Sequence, residues 1–574
     1  MGGILSCCEK LPQTELIPKK NNDSPLKSAI KDKTDKHSTK ETKVVELLNQ
    51  SGDIYKAENR NINLNSMDSD NGNGNKLKMP SRGMSRSSSN LVWEGPSQRH
   101  ILPQEHYMKI AAIGIGAYGK VFKVKNIHTN HVRALKVINK SPELSLTMVE
   151  IAEEIKILKN LDHPNIVQVF ESFEDDEHFF IVSELCSGGD LLSKLNSMEH
   201  MEEYQAKYIL KQVLSAVAYI HEKNIIHGDI KLENIMIDDT IENTEMSEMN
   251  YEVKLIDFGC SRLFKSNQTK ILTDIIGTSL YLAPEVIGGH YDEKCDVWSC
   301  GIILYTLVCA EFPFTGKTEG EIFTNIIEGK IKFDNPNFKN VSKECKELIL
   351  KLLAPDSSKR LSAKLSLHDP WFQNNNEIKQ NSSRGEEPQL VKRLTKNLFE
   401  SLKNIKRDYK FQHLVKNYFT HNFTDKESLK SLRDIFKYID ADEDGKISKK
   451  DLETYYKSDI ETQQTPEIMD KEIERVMQAL DFESHGYIEY EEFIEATLDL
   501  SQIINNKNIE TTYKIIDSDN TEYIFPDEIV SYFTIGKETN EKQRKEYKDE
   551  FGIPSDESID IEKFKSQIKM LVLK

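Results

Sequence analysis

The sequence predicts an α+β protein with several domains: a small sheet-based lobe, a larger helical lobe and an all-α module at the C-terminal end. Two short β-type runs, at 121–124 and 134–138, precede segments with helical periodicity such as 208–221. From residue 424 onward, a repeated loop pattern alternates with helical patterns. The chain has 574 residues, which is too long for one core because domains hold roughly 100 to 200 residues.

The net charge of −18 is unevenly distributed. Residues 1–100 carry about +4, 101–390 about −12, 391–420 about +6 and 421–574 about −16. No folded domain is basic, which argues against a nucleic-acid partner, and the acidic C-terminal end points to cation binding. No apolar run reaches the roughly 18 residues of a membrane-spanning helix. The eight cysteines lack zinc-type spacing and are expected to be reduced thiols.

The first residues fit a lipid-anchoring signal. Gly2 follows the initiator Met, Ser6 occupies the position that the myristoylation pattern requires, and Cys7 and Cys8 are candidate palmitoylation sites. Because one myristoyl chain gives only reversible attachment, the adjacent thiols matter. We expect the cytoplasmic side of a membrane; the alternative is a start that merely begins Met-Gly. The segment 1–100 beyond this signal is polar and aperiodic, which predicts a disordered tether.

A second polar stretch, 373–388, is predicted to be a linker. It precedes a basic amphipathic segment at 389–420, in which leucine and isoleucine recur at helical spacing among lysines. Basic amphipathic helices bind grooves of partner domains.

Five short motifs follow one another in the globular region. They are Gly-x-Gly-x-x-Gly-x-Val at 114–121, Ala-Leu-Lys at 134–136, His-Gly-Asp-Ile-Lys-Leu-Glu-Asn at 227–234, Asp-Phe-Gly at 257–259 and Ala-Pro-Glu at 283–285. A glycine-rich loop alone is a weak signal, and strand-like sequence follows it where a dinucleotide fold would need a helix. Because all five motifs occur in register along one chain, a chance match is negligible.

With these motifs, residues 107–372 resemble a protein-kinase domain, which implies a bilobal fold and ATP as cofactor. The resemblance implies that Lys136 pairs with the α- and β-phosphates of ATP and is held by an acidic residue of the next helix. Glu154 is the favoured partner, and Glu150 and Glu153 are close enough in sequence to remain alternatives.

By the same resemblance, Asp229 accepts the proton of the substrate hydroxyl and Lys231 neutralises charge on the transferred phosphoryl group. Asn234 and Asp257 are the implied Mg²⁺ ligands. Gly228 replaces the arginine that in this family usually pairs with an activation-loop phosphate, which suggests that activation does not depend on that phosphate. The alternative is a weakened or inactive kinase.

Family position also implies the nucleotide-binding residues. These are Ile113, Gly114, Gly116, Gly119, Val121, Ala134, Lys136, Ser183, Glu184, Cys186 and Met236. Ser183 occupies the gatekeeper position, where a small side chain leaves the back of the pocket open. Asp190 and Glu233 match positions that recognise a basic residue N-terminal to the phosphorylated residue, and Lys231 favours Ser/Thr over Tyr specificity.

The loop at 440–451 has the spacing of an EF-hand. Oxygen ligands occupy positions 1, 3 and 5, a glycine occupies the turn at position 6, a backbone carbonyl is supplied at 7 and a carboxylate at 12. The ligands are Asp440, Asp442, Asp444, Lys446 and Asp451. Position 12 is Asp rather than Glu, which puts selectivity for Ca²⁺ over Mg²⁺ in doubt.

Three further loops repeat this pattern with growing departures. Loop 481–492 supplies Asp481, Glu483, His485, Tyr487 and Glu492, and loop 517–528 supplies Asp517, Asp519, Thr521, Tyr523 and Glu528. His485 is a poor ligand for a hard cation, and Glu522 replaces the turn glycine of the third loop, which strains it. Loop 552–563 has lost most ligands and is expected to be structural. For each loop the alternative is an acidic turn between helices.

A kinase domain at 107–372, a basic helix at 389–420 and an EF-hand module at 424–574 together resemble the calcium-dependent protein kinases of plants and protists. The resemblance implies a Ser/Thr kinase that the basic junction helix inhibits and that Ca²⁺ releases. A Ca²⁺-responsive, membrane-tethered pseudokinase scaffold is the alternative from another class. A kinase served by a separate calmodulin is disfavoured because an acidic Ca²⁺ module is already attached.

Overall fold

The computed structural model describes most of the chain beyond residue 102. The described ranges are 103–116, 119–140, 154–155, 157–159, 161–238, 251–264, 277–373, 410–458, 466–481, 484–498, 500–517, 521–534, 539–554 and 557–572. The predicted acylation signal and tether, residues 374–388 of the predicted linker, and residues 389–409 of the predicted basic helix lie outside these ranges.

The small lobe is a five-stranded antiparallel sheet in the order β1-β2-β3-β5-β4. After the short helix α1 (Pro103–His106) come β1 (Tyr107–Gly116), β2 (Gly119–Asn126), β3 (Val132–Asn139), β4 (Val169–Glu174) and β5 (His178–Ser183). Alternate residues point to one face, and there Tyr107, Val124, Leu135, Phe180 and Val182 form the core. The sheet therefore holds β3 rigidly in its middle.

The large lobe is helical. Its helices are α2 (Leu191–Asn196), α3 (Glu203–Glu222), α4 (Pro284–Ile287), α5 (Lys294–Cys309), α6 (Glu319–Glu328), α7 (Lys343–Leu352), α8 (Ala363–Leu367) and α9 (Pro370–Gln373). Helix α5 is apolar on all sides and lies buried along almost its whole length, packed against α3 and α7. The core formed by α5, α3 and α7 supports the loops that follow α3.

Short strands frame those loops. They are β6 (Ile225–Ile226) paired with β9 (Arg262–Leu263), and β7 (Ile235–Ile237) paired with β8 (Val253–Leu255). A 3₁₀ turn, Leu232–Asn234, connects β6 to β7, and another, Ser279–Tyr281, precedes α4. The two ladders fix both ends of the segment 227–234 and the start of the segment 256–261.

The C-terminal module is built of helix–loop–helix units. Its helices are α10 (Lys410–Phe423), α11 (Lys426–Ile439), α12 (Lys449–Ser458), α13 (Pro466–Leu480), α14 (Tyr490–Thr497), α15 (Leu500–Ile503), α16 (Asn506–Ile516), α17 (Pro526–Phe533), α18 (Glu541–Phe551) and α19 (Ile561–Val572). Two short strands, β10 (Ile447–Ser448) and β11 (Tyr487–Ile488), pair the first two loops. The isoleucines of the third and fourth loops, Ile524 and Ile559, form an equivalent antiparallel bridge.

The units therefore associate in two pairs, each with its own apolar core. The degraded fourth loop is the structural partner of the third. The predicted fold class, a bilobal α+β unit followed by an all-α module, is confirmed. Across the described residues, none of the helices combines the length and apolarity that crossing a bilayer demands.

Candidate functional site

Lys136, in the middle of β3, is paired with β2 and β5 on either side and joins the two lobes through its side chain. Its Nζ donates to Glu154 Oε1 at 3.0 Å and to Asp257 Oδ1 at 2.9 Å. Burial would lower the pKa of the Lys136 ammonium, but the charges of Glu154 and Asp257 outweigh it and raise the pKa. Lys136 is thus held as a fixed cation beside the carboxylate of the Asp-Phe-Gly motif.

Asp257 stays ionised in this arrangement. Burial would raise its pKa, but the Lys136 ammonium holds the pKa below its usual range. Its side chain remains 44% exposed, so the carboxylate is accessible from the cleft. Asn234, the other predicted Mg²⁺ ligand, is buried and donates from Nδ2 to the backbone oxygen of Asp229 at 2.9 Å. Carboxylate and amide oxygens suit Mg²⁺, so this donor set fits that ion.

Asp229 lies at the centre of a converging set of donors. Lys231 Nζ donates to Oδ2 at 2.6 Å, and Asn234 Nδ2 lies 3.2 Å from the same oxygen. The backbone N–H and the hydroxyl of Thr278 both donate to Oδ1 at 3.1 Å. Thr278 was missed by the sequence reasoning, although its place five residues before the Ala-Pro-Glu motif is a usable signal. These contacts orient the Asp229 carboxylate.

The backbone beside Asp229 is anchored by a buried carboxylate of α5. Asp296 accepts from the backbone N–H groups of His227 and Gly228, both at 2.9 Å, and lies 2.9 Å from His221 Nε2. Burial would raise the pKa of Asp296, but the partnership with His221 and His227 lowers it. Asp296 also lay outside the sequence prediction, because nothing in the chain order pairs it with residue 228.

Gly228 has φ +78°, the left-handed region that favours glycine. A Cβ at this position would meet the backbone oxygen of Cys260 at 3.0 Å. The glycine therefore permits a close approach between the segment 227–234 and the segment after Asp-Phe-Gly. The ring of His227 packs edge-on against Phe258, with centroids 4.7 Å apart, which joins the same two segments.

The predicted nucleotide-binding residues come from strands that are neighbours in the sheet. Gly114 pairs with Val121 and Gly116 with Gly119 across the β1–β2 hairpin, and Ala134 pairs with Ser183 across β3 and β5. A Cβ on Gly119 would lie 1.7 Å from the backbone oxygen of Val137, so only glycine allows that approach.

The remaining members of the predicted nucleotide set lie on the edge strand β1, at and beyond the end of β5, and on the strand β7. Ile113 is half-exposed on β1, and Met236 is half-buried on β7, next to the buried Ile235 and Ile237. Ser183 is half-buried, and its hydroxyl donates to the backbone oxygen of Glu184 at 3.3 Å. Cys186 is half-buried shortly after the end of β5.

The first three loops of the C-terminal module share one hydrogen-bond pattern. In each, the Asp at position 1 accepts from the backbone N–H groups at positions 5 and 6, over 2.8 to 3.2 Å. In each, the carboxylate at position 12 accepts from the backbone N–H at position 9 at 2.8 Å. These bonds close each loop in the way that an EF-hand requires.

Loop 440–451 carries the strongest indication of a cation. Asp440, Asp442 and Asp444 place one carboxylate oxygen each within 4.8 Å of one another. Asp442 Oδ1 is buried without a hydrogen-bond partner, and burial together with the charge of Asp442 raises the pKa of Asp444 to about 6. Crowded, desolvated carboxylates of this kind are stabilised by a bound divalent cation, so the loop fits Ca²⁺.

The other loops depart as the sequence indicates. Gly445 and Gly486 have φ of +83° and +87° at the turn position, and Glu522 of the third loop is forced to +63°. A left-handed residue other than glycine is strained, which matches the expectation for that loop. His485 lies in the second loop with its ring stacked on Tyr487. Glu483 and Asp519 lie outside the described residues.

Comparison with known proteins gives the family. A family model for the protein kinase domain matches residues 107–372, and one for an EF-hand domain pair matches 429–498. The chain is 34% identical over 464 residues to calcium-dependent protein kinase 4 of Plasmodium berghei, covering 79% of this chain and 83% of that protein. It is 32% identical over 499 residues to calcium-dependent protein kinase 4 of Plasmodium falciparum, covering 85% and 89%. This chain belongs to the calcium-dependent protein kinase family.

A third relative supports the same assignment. Calcium-dependent protein kinase 3 of Plasmodium yoelii yoelii is 33% identical over 425 residues, covering 74% of each chain. The chain is a protein serine/threonine kinase with a kinase domain and an EF-hand region. Its kinase domain implies ATP and Mg²⁺ as cofactors, and its EF-hands imply Ca²⁺.

In this calcium-dependent kinase, the end of the basic segment lies inside the C-terminal EF-hand pair. Helix α10 buries Phe411, Leu414, Val415 and Phe419 among the apolar residues of α16 to α19. The ring of Phe411 lies 5.6 Å from that of Tyr547 and 6.0 Å from that of Phe551. This is a helix bound in a groove by its apolar face.

The EF-hand region also contacts the kinase domain, which sequence reasoning did not predict. Arg133 of β3 donates from Nη2 to the backbone oxygen of His421 at 2.6 Å, at the C-terminal end of α10. Asp162 accepts from the backbone N–H of Glu491 at 2.6 Å, at the N-terminal end of α14. A cation at one helix end and an anion at another complement the two helix dipoles. Arg433 of α11 lies 3.2 Å from Asp238, which follows β7 in the large lobe, so the module docks on both lobes.

Proposed function

We propose that this kinase is switched on by Ca²⁺ through displacement of its basic junction segment, residues 389–420. At low Ca²⁺ the segment inhibits the kinase domain; at high Ca²⁺ the EF-hand module binds it. The observation that carries the proposal is the burial of α10, the C-terminal part of this segment, in the core of the second EF-hand pair. A ligand shifts an equilibrium only by its differential affinity, so Ca²⁺ must bind more tightly when the module holds the segment.

The charges of the three segments support this movement of the basic segment from the kinase domain to the EF-hand module. The segment 391–420 carries about +6, and the module that follows carries about −16. The kinase domain is itself acidic, so both partners attract the same basic segment. The apolar face of α10 then decides between them when Ca²⁺ opens the EF-hand grooves.

Within the kinase domain we propose the following division of labour. Asp229 accepts the proton of the substrate hydroxyl, and Lys231, which reaches both Asp229 and Thr278, neutralises charge on the transferred phosphoryl group. Lys136, fixed by Glu154, orients the α- and β-phosphates of ATP. Asn234 and Asp257 would hold Mg²⁺, which supplies charge neutralisation at the phosphates.

Residue 228 bears on how the switch operates. Asp296 holds the backbone of His227 and Gly228 directly, so the segment 227–234 is anchored without an arginine side chain at 228. We therefore propose that an activation-loop phosphate is not required and that Ca²⁺ is the principal input.

The test is transfer of phosphate to a Ser/Thr peptide by the full-length protein, with chelator and with saturating Ca²⁺. We expect at least a tenfold difference, equivalent to about 1.4 kcal/mol of coupling. Asp229→Asn, measured in parallel, removes the proton acceptor and is expected to abolish transfer under both conditions. Equal wild-type activity with and without Ca²⁺ contradicts the switch; undiminished activity of Asp229→Asn contradicts the catalytic assignment.

We further propose substrates with a basic residue N-terminal to the target Ser/Thr. Glu233 lies in the segment 227–234 with Oε2 3.4 Å from the hydroxyl of Tyr281, and Asp190 caps α2 through Ser193. Both carboxylates are positioned by neutral donors, which leaves their charge for a substrate cation. Peptides with arginine or alanine at that position, compared by kcat/KM, test this; equal values contradict it.

For localisation, we propose attachment to the cytoplasmic side of a membrane through lipids on Gly2 and on Cys7 or Cys8. The support is the sequence pattern alone. Gly2→Ala is expected to move the protein from the membrane to the soluble fraction of a cell extract, and Cys7→Ser with Cys8→Ser to weaken retention. Unchanged fractionation of Gly2→Ala overturns the proposal.

A further inference from the structure

We propose that two residues of the kinase domain, Lys364 and Glu222, set the Ca²⁺ affinity of the first EF-hand loop, residues 440–451. Lys364 weakens binding and Glu222 strengthens it. The inference rests on the proposed function, because it assumes that this loop binds Ca²⁺ in the regulated kinase. Residues of the kinase domain would then tune a calcium site whose ligands all come from the EF-hand loop.

The first loop faces the kinase domain at close range. A Cβ on Gly445 would lie 2.0 Å from Nε2 of His163, a buried residue of the kinase domain, so the turn of the loop packs directly against that ring. At the equivalent turn of the second loop, a Cβ on Gly486 would meet no atom within 4 Å. The two turns share the same backbone conformation, and only the first is buried in the contact.

Charged side chains of the kinase domain surround this turn. Lys364 Nζ lies 3.5 Å from Asp444 Oδ2, the carboxylate at position 5, and 2.8 Å from Glu222 Oε1. The other oxygen of Glu222 lies 2.5 Å from Nζ of Lys446, the residue at position 7. Lys211 lies 2.5 Å from Glu443 at position 4. Glu222 thus bridges two lysines, one from each domain, at the rim of the site.

The sign of each effect follows from Coulomb's law. Asp444 must turn its carboxylate to Ca²⁺, and Lys364 competes for that carboxylate while adding positive charge near the ion. Glu222 adds negative charge and keeps Lys364 and Lys446 engaged elsewhere. The Lys446 side chain is only 6% exposed, so its ammonium stays close to the loop. Glu222 offsets this positive charge. Removing Lys364 therefore tightens Ca²⁺ binding, and neutralising Glu222 weakens it.

The second loop differs in the position that is contacted. Its ion pair with the kinase domain joins Lys223 to Glu489, 2.9 Å apart, at position 9. Position 9 often reaches Ca²⁺ through a water molecule, whereas position 5 binds it directly. The kinase domain is thus expected to tune the first loop more strongly than the second.

The experiment is calorimetric Ca²⁺ titration of the full-length protein carrying Lys364→Met or Glu222→Gln. Lys359→Met is the matched control, because Lys359 pairs with Asp356 on the same lobe and its side chain is 78% exposed. Each variant is measured again with Asp440→Ala, which removes the position-1 ligand of the first loop. Peptide phosphorylation against free Ca²⁺ is recorded for the same samples.

For partly exposed charges we expect shifts of about two- to fivefold in the dissociation constant of one site. Lys364→Met should lower that constant, Glu222→Gln should raise it, and Lys359→Met should leave it unchanged. Both shifts should vanish with Asp440→Ala. No shift, shifts in the same direction, or shifts that survive Asp440→Ala overturn the inference.

The phosphorylation measurements distinguish the proposed Ca²⁺ switch from the tuning of Ca²⁺ affinity by Lys364 and Glu222. If wild-type activity does not respond to Ca²⁺, the proposed switch fails, while the calorimetric shifts still decide the role of Lys364 and Glu222. If activity responds to Ca²⁺ and the constants do not move, the inference alone fails.

Discussion

At the scale of single residues, the candidate active site contains supporting groups that no motif names. The motifs identify Lys136, Asp229 and Asp257, and the structure adds Thr278 and Asp296 as their supports. Motifs record residues whose chemistry is fixed by the reaction. Supporting residues come from distant helices and turns, so their pairing appears only when the chain is folded.

Gly228 gives the first prediction. Gly228→Ala places a Cβ 3.0 Å from the backbone oxygen of Cys260 at φ +78° and is expected to cost about 1 kcal/mol of unfolding free energy. Gly320→Ala is the control, since Gly320 lies in α6 with nothing near a Cβ, and it should stabilise by about 0.5 to 1 kcal/mol. Chemical denaturation of the two variants measures both effects, and equal effects would contradict the strain at 228.

Ser183 gives the second prediction. Its short side chain lies on β5 and pairs across the sheet with another small residue, Ala134 of β3. Its gatekeeper position in the family predicts an open space behind it. Ser183→Met fills that space and should raise the inhibitory concentration of a bulky ATP-site inhibitor about tenfold, the equivalent of about 1.4 kcal/mol. An ATP-site inhibitor without the bulky group is the control and should be unaffected. An unchanged inhibitory concentration for the bulky compound disproves this assignment of Ser183.

At the scale of elements, periodicity and ligand spacing predicted most of the architecture. The isoleucine eight positions into each loop pairs the loops in the structure, Ile447 with Ile488 and Ile524 with Ile559. The repeat is visible in sequence because each loop needs the same backbone bonds. The burial of α10 in the second pair could not be predicted, because its amphipathic face fits either a kinase groove or an EF-hand groove.

The two turn glycines give an element-scale prediction. Gly445→Ala and Gly486→Ala impose similar strain, about 1 kcal/mol each, because both glycines have φ near +85°. Only Gly445→Ala collides with His163. Hydrogen exchange of the full-length protein should therefore show faster exchange around 162–168 in Gly445→Ala alone. Equal protection in both variants would show that the first loop does not contact the kinase domain in solution.

At the scale of the whole molecule, the net charge of −18 conceals segments of opposite sign that can pair or separate. The sequence predicts this alternation, since it needs only counting. The docking of the module on the kinase domain depends on specific pairs, such as Arg433 with Asp238 at 3.2 Å and Lys437 with Glu252. Such pairs follow from the folded shapes of both domains, which counting cannot supply.

Truncation after residue 388 tests the inhibitory part of this arrangement. The kinase domain without its basic segment should phosphorylate peptide equally with chelator and with Ca²⁺, at a rate near that of the Ca²⁺-saturated full-length protein. The matched comparison is truncation after residue 423, which retains the basic segment without the loops and should be silent. If the shorter fragment is inactive, the EF-hand module is a required activator and does not act only by relieving inhibition.

Ca²⁺ bound in the EF-hand loops is proposed to control phosphate transfer. The most direct measurement is peptide phosphorylation against free Ca²⁺ for the wild-type chain and for Asp440→Ala, Asp481→Ala and Asp517→Ala combined, which removes position 1 of the first three loops. We predict that wild-type activity rises with Ca²⁺ and that the triple variant stays at the chelator level throughout. A flat wild-type response, or a triple variant that responds like the wild type, would show that these loops do not control phosphate transfer.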